Sequence, residues 1–78
     1  MARDYYAEAE AVCEELEGLG RSDVADDLRA AIEGGSTATE ILMALRWSLE
    51  QSISAEIDLG SAEVKMRSLK EGLDAALG

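Results

Sequence analysis

The feature that most constrains the fold is a helical spacing of apolar residues that recurs in four separate blocks. Within each block, apolar side chains follow one another at intervals of three and four residues, which places them on one side of a helix. Each block opens with a residue type that caps helix N-termini, and glycine closes most of the blocks. The order of residues therefore predicts an all-α fold.

We expect a small antiparallel bundle of four helices in a single domain that spans the chain, 1–78. The predicted helices are 4–19, 22–33, 37–55 and 61–77. The segments between them are short, so consecutive helices should be antiparallel neighbours. A core of three helices is the alternative, if the fourth helix packs only within a dimer.

Capping residues set the predicted starts of the helices. Asp4 and Ser22 are expected to cap the first two helices, and Gly60–Ser61 to open the fourth. The segment from Thr37 to Glu40 matches a capping box, in which the threonine caps forward and the glutamate reaches back.

The third helix is predicted to be the central one. One broad apolar face of this helix comprises Ile41, Leu42, Leu45, Leu49 and Ile53. Met43 and Trp47 lie on the opposite face, one turn apart, and a helix that is apolar on most sides is a buried one. Two interpretations of Met43 and Trp47 stay open: a neighbouring helix covers them as core, or a second chain covers them. The same two interpretations, core residue or contact with a second chain, apply to Tyr6.

The segment from Ile53 to Leu59 is ambiguous because its apolar residues alternate, as they do in a strand. A lone strand would have no partner elsewhere in the chain. We therefore expect the frayed end of the third helix followed by a loop.

The composition bounds both the size and the order of the molecule. A net charge of −10 with no Phe is close to the composition of disordered chains, but alanine favours helices and the apolar spacing is regular. A folded chain of this mass should expose about 4,600 Å² and hide about 62% of its unfolded surface. One modest core is possible, and a deep cleft between two lobes is not.

The negative charge argues against nucleic acid or an anionic membrane as a direct partner. It is concentrated in residues 1–40, which carry eleven acids and three bases. If the first two helices are adjacent, their acids form one surface that would attract a basic protein; the alternative is a solvated face that keeps the protein soluble. The predicted acidic surface comprises Glu10, Glu14, Glu17, Asp23, Asp26 and Asp27.

The absence of histidine excludes histidine-based triads and proton shuttles, and a single cysteine excludes a disulfide within the chain. Cys13 is expected to be a small core residue whose pKa neighbouring glutamates raise. Gly18–Gly20 and Gly34–Gly35 are interpreted as helix terminators, because neither pair has the surroundings of a phosphate-binding loop.

Two pairs of acids bear on metal chemistry. Glu14 and Glu17, and likewise Glu71 and Asp74, resemble the acidic pairs with which helical nucleotide pyrophosphatases hold magnesium. More than fifty residues separate the pairs, and no basic cluster is placed to hold substrate phosphates. We therefore expect no metal, no cofactor and no enzymatic activity, and a Mg-dependent hydrolase is a remote alternative.

The sequence favours a small acidic protein-binding module, such as an inhibitor or immunity-type protein acting on a basic partner. The alternative is a homodimeric structural or scaffold domain that associates through Met43 and Trp47. No run of residues is long and apolar enough to span a membrane, and residues 1–20 lack the apolar stretch of a signal peptide. We expect a cytoplasmic protein.

Overall fold

The predicted four-helix bundle is confirmed in the computed structural model, which describes residues 3–78. The helices are α1 (Tyr5–Gly18), α2 (Ser22–Gly34), α3 (Ala38–Ser54) and α4 (Ala62–Leu77). The predicted bounds differ from these by at most one residue, largely because the predictions counted capping residues as helical. The predicted single domain includes residues 1 and 2, which lie outside the described residues.

The four helices form a ring in which each helix packs against two others. Helix α1 lies beside α2 and α4, and α3 lies beside the same two helices. Each helix turns one side toward a common centre. The buried apolar core comprises Ala9, Val12, Cys13, Leu16, Val24, Ala25, Leu28, Leu45, Leu49, Leu59, Ala62, Met66, Leu69 and Leu73.

The central position predicted for the third helix is wrong. Helix α3 occupies one of four equivalent places in the ring, and its buried residues are Leu45, Ser48 and Leu49. Met43 and Trp47, on its other side, are exposed. Because a ring of four helices gives α3 two neighbours, its second apolar face stays at the surface.

Two of the predicted N-terminal caps are present. Asp4 accepts a hydrogen bond from the Ala7 amide at 3.1 Å, and Thr37 Oγ1 accepts one from the Glu40 amide at 3.2 Å. The return half of the capping box is displaced by one residue. Glu40 Oε2 accepts from the amide and the hydroxyl of Ser36 rather than from Thr37.

The predicted Ser22 cap is wrong, because Arg21 is the N-cap of α2 and Ser22 is its first helical residue. The end of α1 explains the difference. Gly20 adopts a φ of 79°, and the Arg21 amide donates to the Leu16 carbonyl at 2.8 Å. This closing turn of α1 fixes Arg21 in the capping position, and its guanidinium then donates to the Asp58 carbonyl at 3.2 Å.

The ambiguous segment is the end of a helix followed by a loop, as predicted. Helix α3 ends at Ser54, and Glu56 has a φ of 56°, in the left-handed region. The loop returns Leu59 to the core. No strand is present in residues 3–78.

Helix α4 packs within the same chain, so the three-helix alternative is wrong. The Tyr5 hydroxyl donates to the Gly72 carbonyl at 3.2 Å, and Lys65 Nζ lies 3.0 Å from Glu15 Oε1. Both contacts join α4 to α1, and they place the two helices antiparallel. No helix within residues 3–78 combines the length and the apolar character needed to cross a membrane.

Candidate protein-interaction surface

The predicted acidic surface is built around one arginine on the face shared by α1 and α2. Arg29 of α2 reaches across to α1, where its nitrogens lie 2.8 Å from Glu10 Oε1 and 2.8 Å from Glu17 Oε2. The two glutamates are seven residues apart, two turns along the same side of α1. One guanidinium therefore holds two members of the predicted acidic surface.

These contacts shift the pKa values of Arg29 and Glu17. The hydrogen bonds that Arg29 donates to Glu17 and Glu10 raise the pKa of Arg29, and the bond to Glu17 lowers the pKa of the Glu17 carboxyl. Both effects favour the charged forms, because each group is charged when it makes the bond. The face between α1 and α2 is therefore acidic but partly neutralised.

Helix α2 divides the remaining acids between two faces. Asp26 and Asp27 are adjacent in sequence and so point about 100° apart around the helix. Asp26 lies close enough to Cys13 of α1 to influence its thiol, whereas Asp27 lines a groove between α2 and α3. Asp23 is one turn before Asp27 and is exposed, and Glu14 is exposed on α1.

The groove between α2 and α3 has a volume of about 540 Å³ and is lined by small side chains, two polar residues and one aromatic ring. Its lining residues are Asp27, Ala30, Ala31, Trp47, Ser48, Gln51 and Ser52. The antiparallel arrangement of α2 and α3 brings the two halves of this set together. The alanine and serine side chains are short, so the groove has room for a side chain or a helix of another molecule.

Trp47 and Met43 stand at the surface, which settles one of the two interpretations left open above. Trp47 is 64% exposed and Met43 is 50% exposed, so no neighbouring helix of the chain covers them as core. A large aromatic side chain at this exposure has apolar area available for contact with another molecule. Tyr6 is 40% exposed on α1, away from this groove.

The groove is also set apart by its charge, because no basic side chain lines it. The bases of the chain contact groups elsewhere: Arg3 with Glu8, Arg21 with the Asp58 carbonyl, Arg29 with Glu10 and Glu17, Arg46 and Lys70 with Asp74, Lys65 with Glu15, and Arg67 with Glu63. Asp27 is therefore the charged residue of the groove, and its charge is negative.

The two grooves beside α4 differ from it because basic side chains line them. The groove between α1 and α4, of about 340 Å³, includes Glu8 and Lys65, and both side chains are in ion pairs. The groove between α3 and α4, of about 170 Å³, includes Arg67 and Lys70. Charge is locally balanced in both, unlike in the groove between α2 and α3.

Cys13 is buried, as predicted, and its Sγ lies 3.6 Å from the Ala25 carbonyl oxygen. Burial raises the pKa of the Cys13 thiol, and Glu10, Glu17 and Asp26 add to the rise while Arg29 opposes it. Burial is thus the main cause, rather than the glutamates alone. A thiol in this state is a poor nucleophile.

One acid of each pair considered for magnesium is engaged in other contacts. Glu17 is held by Arg29, and Asp74 lies 2.9 Å from Lys70 and 3.7 Å from Arg46. Across residues 3–78, no three cysteine or acidic side chains converge in a way that could hold a metal ion.

The sequence analysis missed the groove, although it had identified most of its parts. It placed acids on the second helix, and Met43 and Trp47 on the third, without connecting them. Ala30 and Ala31 gave no signal by themselves, because alanine is as common on a solvated helix face as at a contact. It also missed Val64, which is 75% exposed in the groove between α1 and α4.

Comparison with known proteins gives no match: no family model, no curated protein and no solved structure is significantly similar to this chain. The function is therefore inferred from the surface of the protein itself.

Proposed function

We propose that this protein is a non-enzymatic binding module for a basic protein partner, in the manner of an inhibitor or immunity-type protein. The observation that carries the proposal is the imbalance of charge on α1 and α2. All six carboxylates of the predicted acidic surface are exposed, and within residues 3–78 Arg29 is the one base that forms an ion pair with any of them. Such a surface accelerates encounter with a cationic partner and disfavours anionic ones.

Spacing supports the same proposal. Residues one helical turn apart, such as Glu10 and Glu14, have their Cβ atoms about 6 Å from each other. Successive phosphates along a nucleic-acid strand have a similar spacing. A basic protein that binds a nucleic-acid backbone is therefore a suitable class of target, although nucleic acid itself is not.

The experiment compares capture of partners from an extract of the source cell by three forms of the protein. The first is the wild type, and the second carries Asp23→Asn, Asp26→Asn and Asp27→Asn. The third, a control with the same change in charge on other elements, carries Glu56→Gln, Glu63→Gln and Glu71→Gln. We expect the wild type and the control to retain one partner at low salt and release it at high salt, and the α2 variant to lose it. Equal retention by all three forms, independent of salt, would refute the proposal.

Self-association is the second candidate, and the exposure of Trp47 and Met43 favours it specifically. A homodimeric scaffold would cover this apolar face with a second copy. Sedimentation velocity at high micromolar concentration distinguishes the two: a dimer that Trp47→Ala dissociates supports self-association, and a monomer contradicts it.

A Mg-dependent hydrolase stays a remote alternative. To bind a metal, Glu17 would have to give up its contact with Arg29, and Asp74 its contacts with Arg46 and Lys70. Addition of Mg²⁺ or Mn²⁺ should leave the melting temperature unchanged if the protein is a binding module, and a rise would favour the hydrolase.

We place the module in the cytoplasm. What supports this is the free, buried Cys13, since the cytosol keeps thiols reduced. Fractionation of the source cell tests the assignment, and recovery of the protein outside the cytoplasm would contradict it.

A further inference from the structure

We infer that the groove between α2 and α3 binds an amphipathic helix of a basic partner, with an apolar face against Trp47 and a Lys or Arg beside Asp27. This inference depends on the proposed function and names the site and the chemistry of the partner. It joins two features that line one groove: the exposed ring of Trp47 on α3, and the carboxylate of Asp27 on α2, which forms no ion pair within residues 3–78.

The shape of the groove indicates a helix as the occupant. Helices pack with their axes about 8–10 Å apart. The closest separations require small side chains at the contact. Ala30 and Ala31 on one side, and Ser48 and Ser52 on the other, provide such a surface between two antiparallel helices. An amphipathic helix laid in a hydrophobic groove is a common mode of peptide recognition.

Trp47 and Met43 supply the apolar contact. Tryptophan is enriched among the residues that dominate binding energy, and methionine adapts its shape to different partners. Trp47 lines the groove, and Met43 is exposed one turn away from it on α3. An apolar stripe on the incoming helix would cover both.

Charge selects the partner and weighs against a second copy of this chain. Asp27 lines the groove, Asp23 is exposed one turn away, and none of the basic side chains lies there. Two copies that met through this face would bring like charges together, which is unfavourable, and each copy carries a net charge of −10. A helix with Lys or Arg beside its apolar stripe instead matches the groove in both respects.

The test uses three synthetic peptides that lack tryptophan and are about five helical turns long. One has leucines at helical spacing and lysines elsewhere, the second has glutamates in place of the lysines, and the third is a scrambled leucine–lysine peptide with no apolar face. Trp47 is the single tryptophan of the chain, so its fluorescence emission reports contact at the groove, while calorimetry gives the affinity.

Matched variants locate the binding site. Ala30→Gln places a larger, uncharged side chain in the groove, and Ala11→Gln makes the same change at the exposed alanine of the groove between α1 and α4. Asp27→Asn removes the charge of the groove, and Glu71→Gln removes one on α4. Circular dichroism and urea unfolding verify that each variant is folded.

We expect the amphipathic leucine–lysine peptide to bind and to shift Trp47 emission to shorter wavelength. Ala30→Gln and Trp47→Ala should weaken binding by about tenfold or more, and Asp27→Asn by a smaller factor. Ala11→Gln and Glu71→Gln should leave the affinity within about twofold of the wild type.

Other results would overturn the inference. The groove would be refuted if the peptide bound without shifting the fluorescence emission of Trp47 and if Ala30→Gln and Ala11→Gln had equal affinities for it. The acidic surface of the proposed function would not be affected by that result. Equal binding of the glutamate peptide would refute the selection by charge, and equal binding of the scrambled peptide would refute the helix. A shift of Trp47 that grows with protein concentration alone would assign the groove to a second copy. No binding of any peptide would also overturn it, and the capture experiment above tests the proposed function independently.

Discussion

Arg29 is the residue on which the electrostatics of α1 and α2 depend. It donates hydrogen bonds to Glu10 and Glu17, and both partners are at the surface. Exposed ion pairs add little to stability because water and salt screen them. The main effect of Arg29 is to order two carboxylates and to reduce the net charge of this face.

Replacement of this arginine should be visible in the titration of its partner. In Arg29→Gln we expect the pKa of Glu17, which Arg29 lowers, to rise toward its ordinary value. Arg3 lowers the pKa of Glu8 in the same way, so Glu8 is an internal control that should not change. Carboxyl-detected NMR titration measures both. The stability that the Arg29 pair supplies is present above the unfolded-state pKa of Glu17 and is lost as pH falls through the lowered folded-state value. An unchanged Glu17 pKa would contradict the contact.

Cys13 should be protected from alkylation in the folded protein. Its thiol is buried and its pKa is raised, so iodoacetamide should react about tenfold or more slowly than in denaturant, at a rate set by unfolding. The raised pKa also stabilises the fold below the unfolded-state thiol pKa, and this contribution is lost as pH rises through the folded-state value. A native thiol that reacts as fast as the denatured one would show that Cys13 is not in the core.

At the scale of the helices, the ends could be predicted from the sequence where the capping interactions are local. Asp4 and Thr37 cap their own helices through side chains three residues from the bonded amide. The start of α2 could not be predicted in the same way. Arg21 caps it because of the closing turn of α1 and a contact with Asp58 from a distant loop, and neither is visible in the residues around Ser22.

The two glycines at the end of α2, Gly34 and Gly35, should respond in opposite directions to replacement by alanine. Gly34 is helical, and an added Cβ there would meet nothing within 4 Å, so Gly34→Ala should stabilise the protein by ~0.5–1 kcal/mol. At Gly35 a Cβ would lie 2.9 Å from the backbone nitrogen of Ile41, so Gly35→Ala should destabilise it by ~1–3 kcal/mol. Urea unfolding measures both. Equal effects of the two substitutions would contradict this close approach.

The two faces of α3 should also differ in their contributions to stability. Leu45 is fully buried, and Leu45→Ala should cost ~2–5 kcal/mol of unfolding free energy. Met43→Ala should cost less than about 1 kcal/mol, because half of the Met43 side chain is already in water. Urea unfolding followed by circular dichroism compares them. A large loss on replacing Met43 would show that this face is core after all.

At the scale of the whole molecule, the accessible surface of 4641 Å² agrees with the value of about 4,600 Å² that the mass predicts for a folded monomer. The class of fold and the number of helices could be predicted because apolar spacing and capping residues are properties of single segments. The position of α3 could not. The sequence shows that Met43 and Trp47 are apolar, but whether any helix covers them depends on how four helices are arranged around one core.

For the candidate interaction surface, too, the residue types could be predicted from single segments, whereas their arrangement could not. The excess of acids and the apolar pair on α3 were recognisable residue by residue. That Asp27 and Trp47 line one groove, while Asp26 lies close enough to Cys13 of α1 to raise the pKa of its thiol, follows from the packing of α2 between α1 and α3. Pairing of helices thus places Asp27 in a groove with α3, while Glu10 and Glu17 contact Arg29 between α1 and α2.

Quenching of Trp47 fluorescence tests the central claim most directly, because it reports both the exposure and the charge of this face in the protein alone. We predict emission typical of tryptophan in water, and quenching by caesium ions that exceeds quenching by iodide, each taken relative to free N-acetyltryptophanamide. Added salt and Asp27→Asn should reduce the difference between the two ions. Emission at short wavelength with little quenching by either ion, or equal relative quenching by both, would contradict an exposed tryptophan on an acidic face.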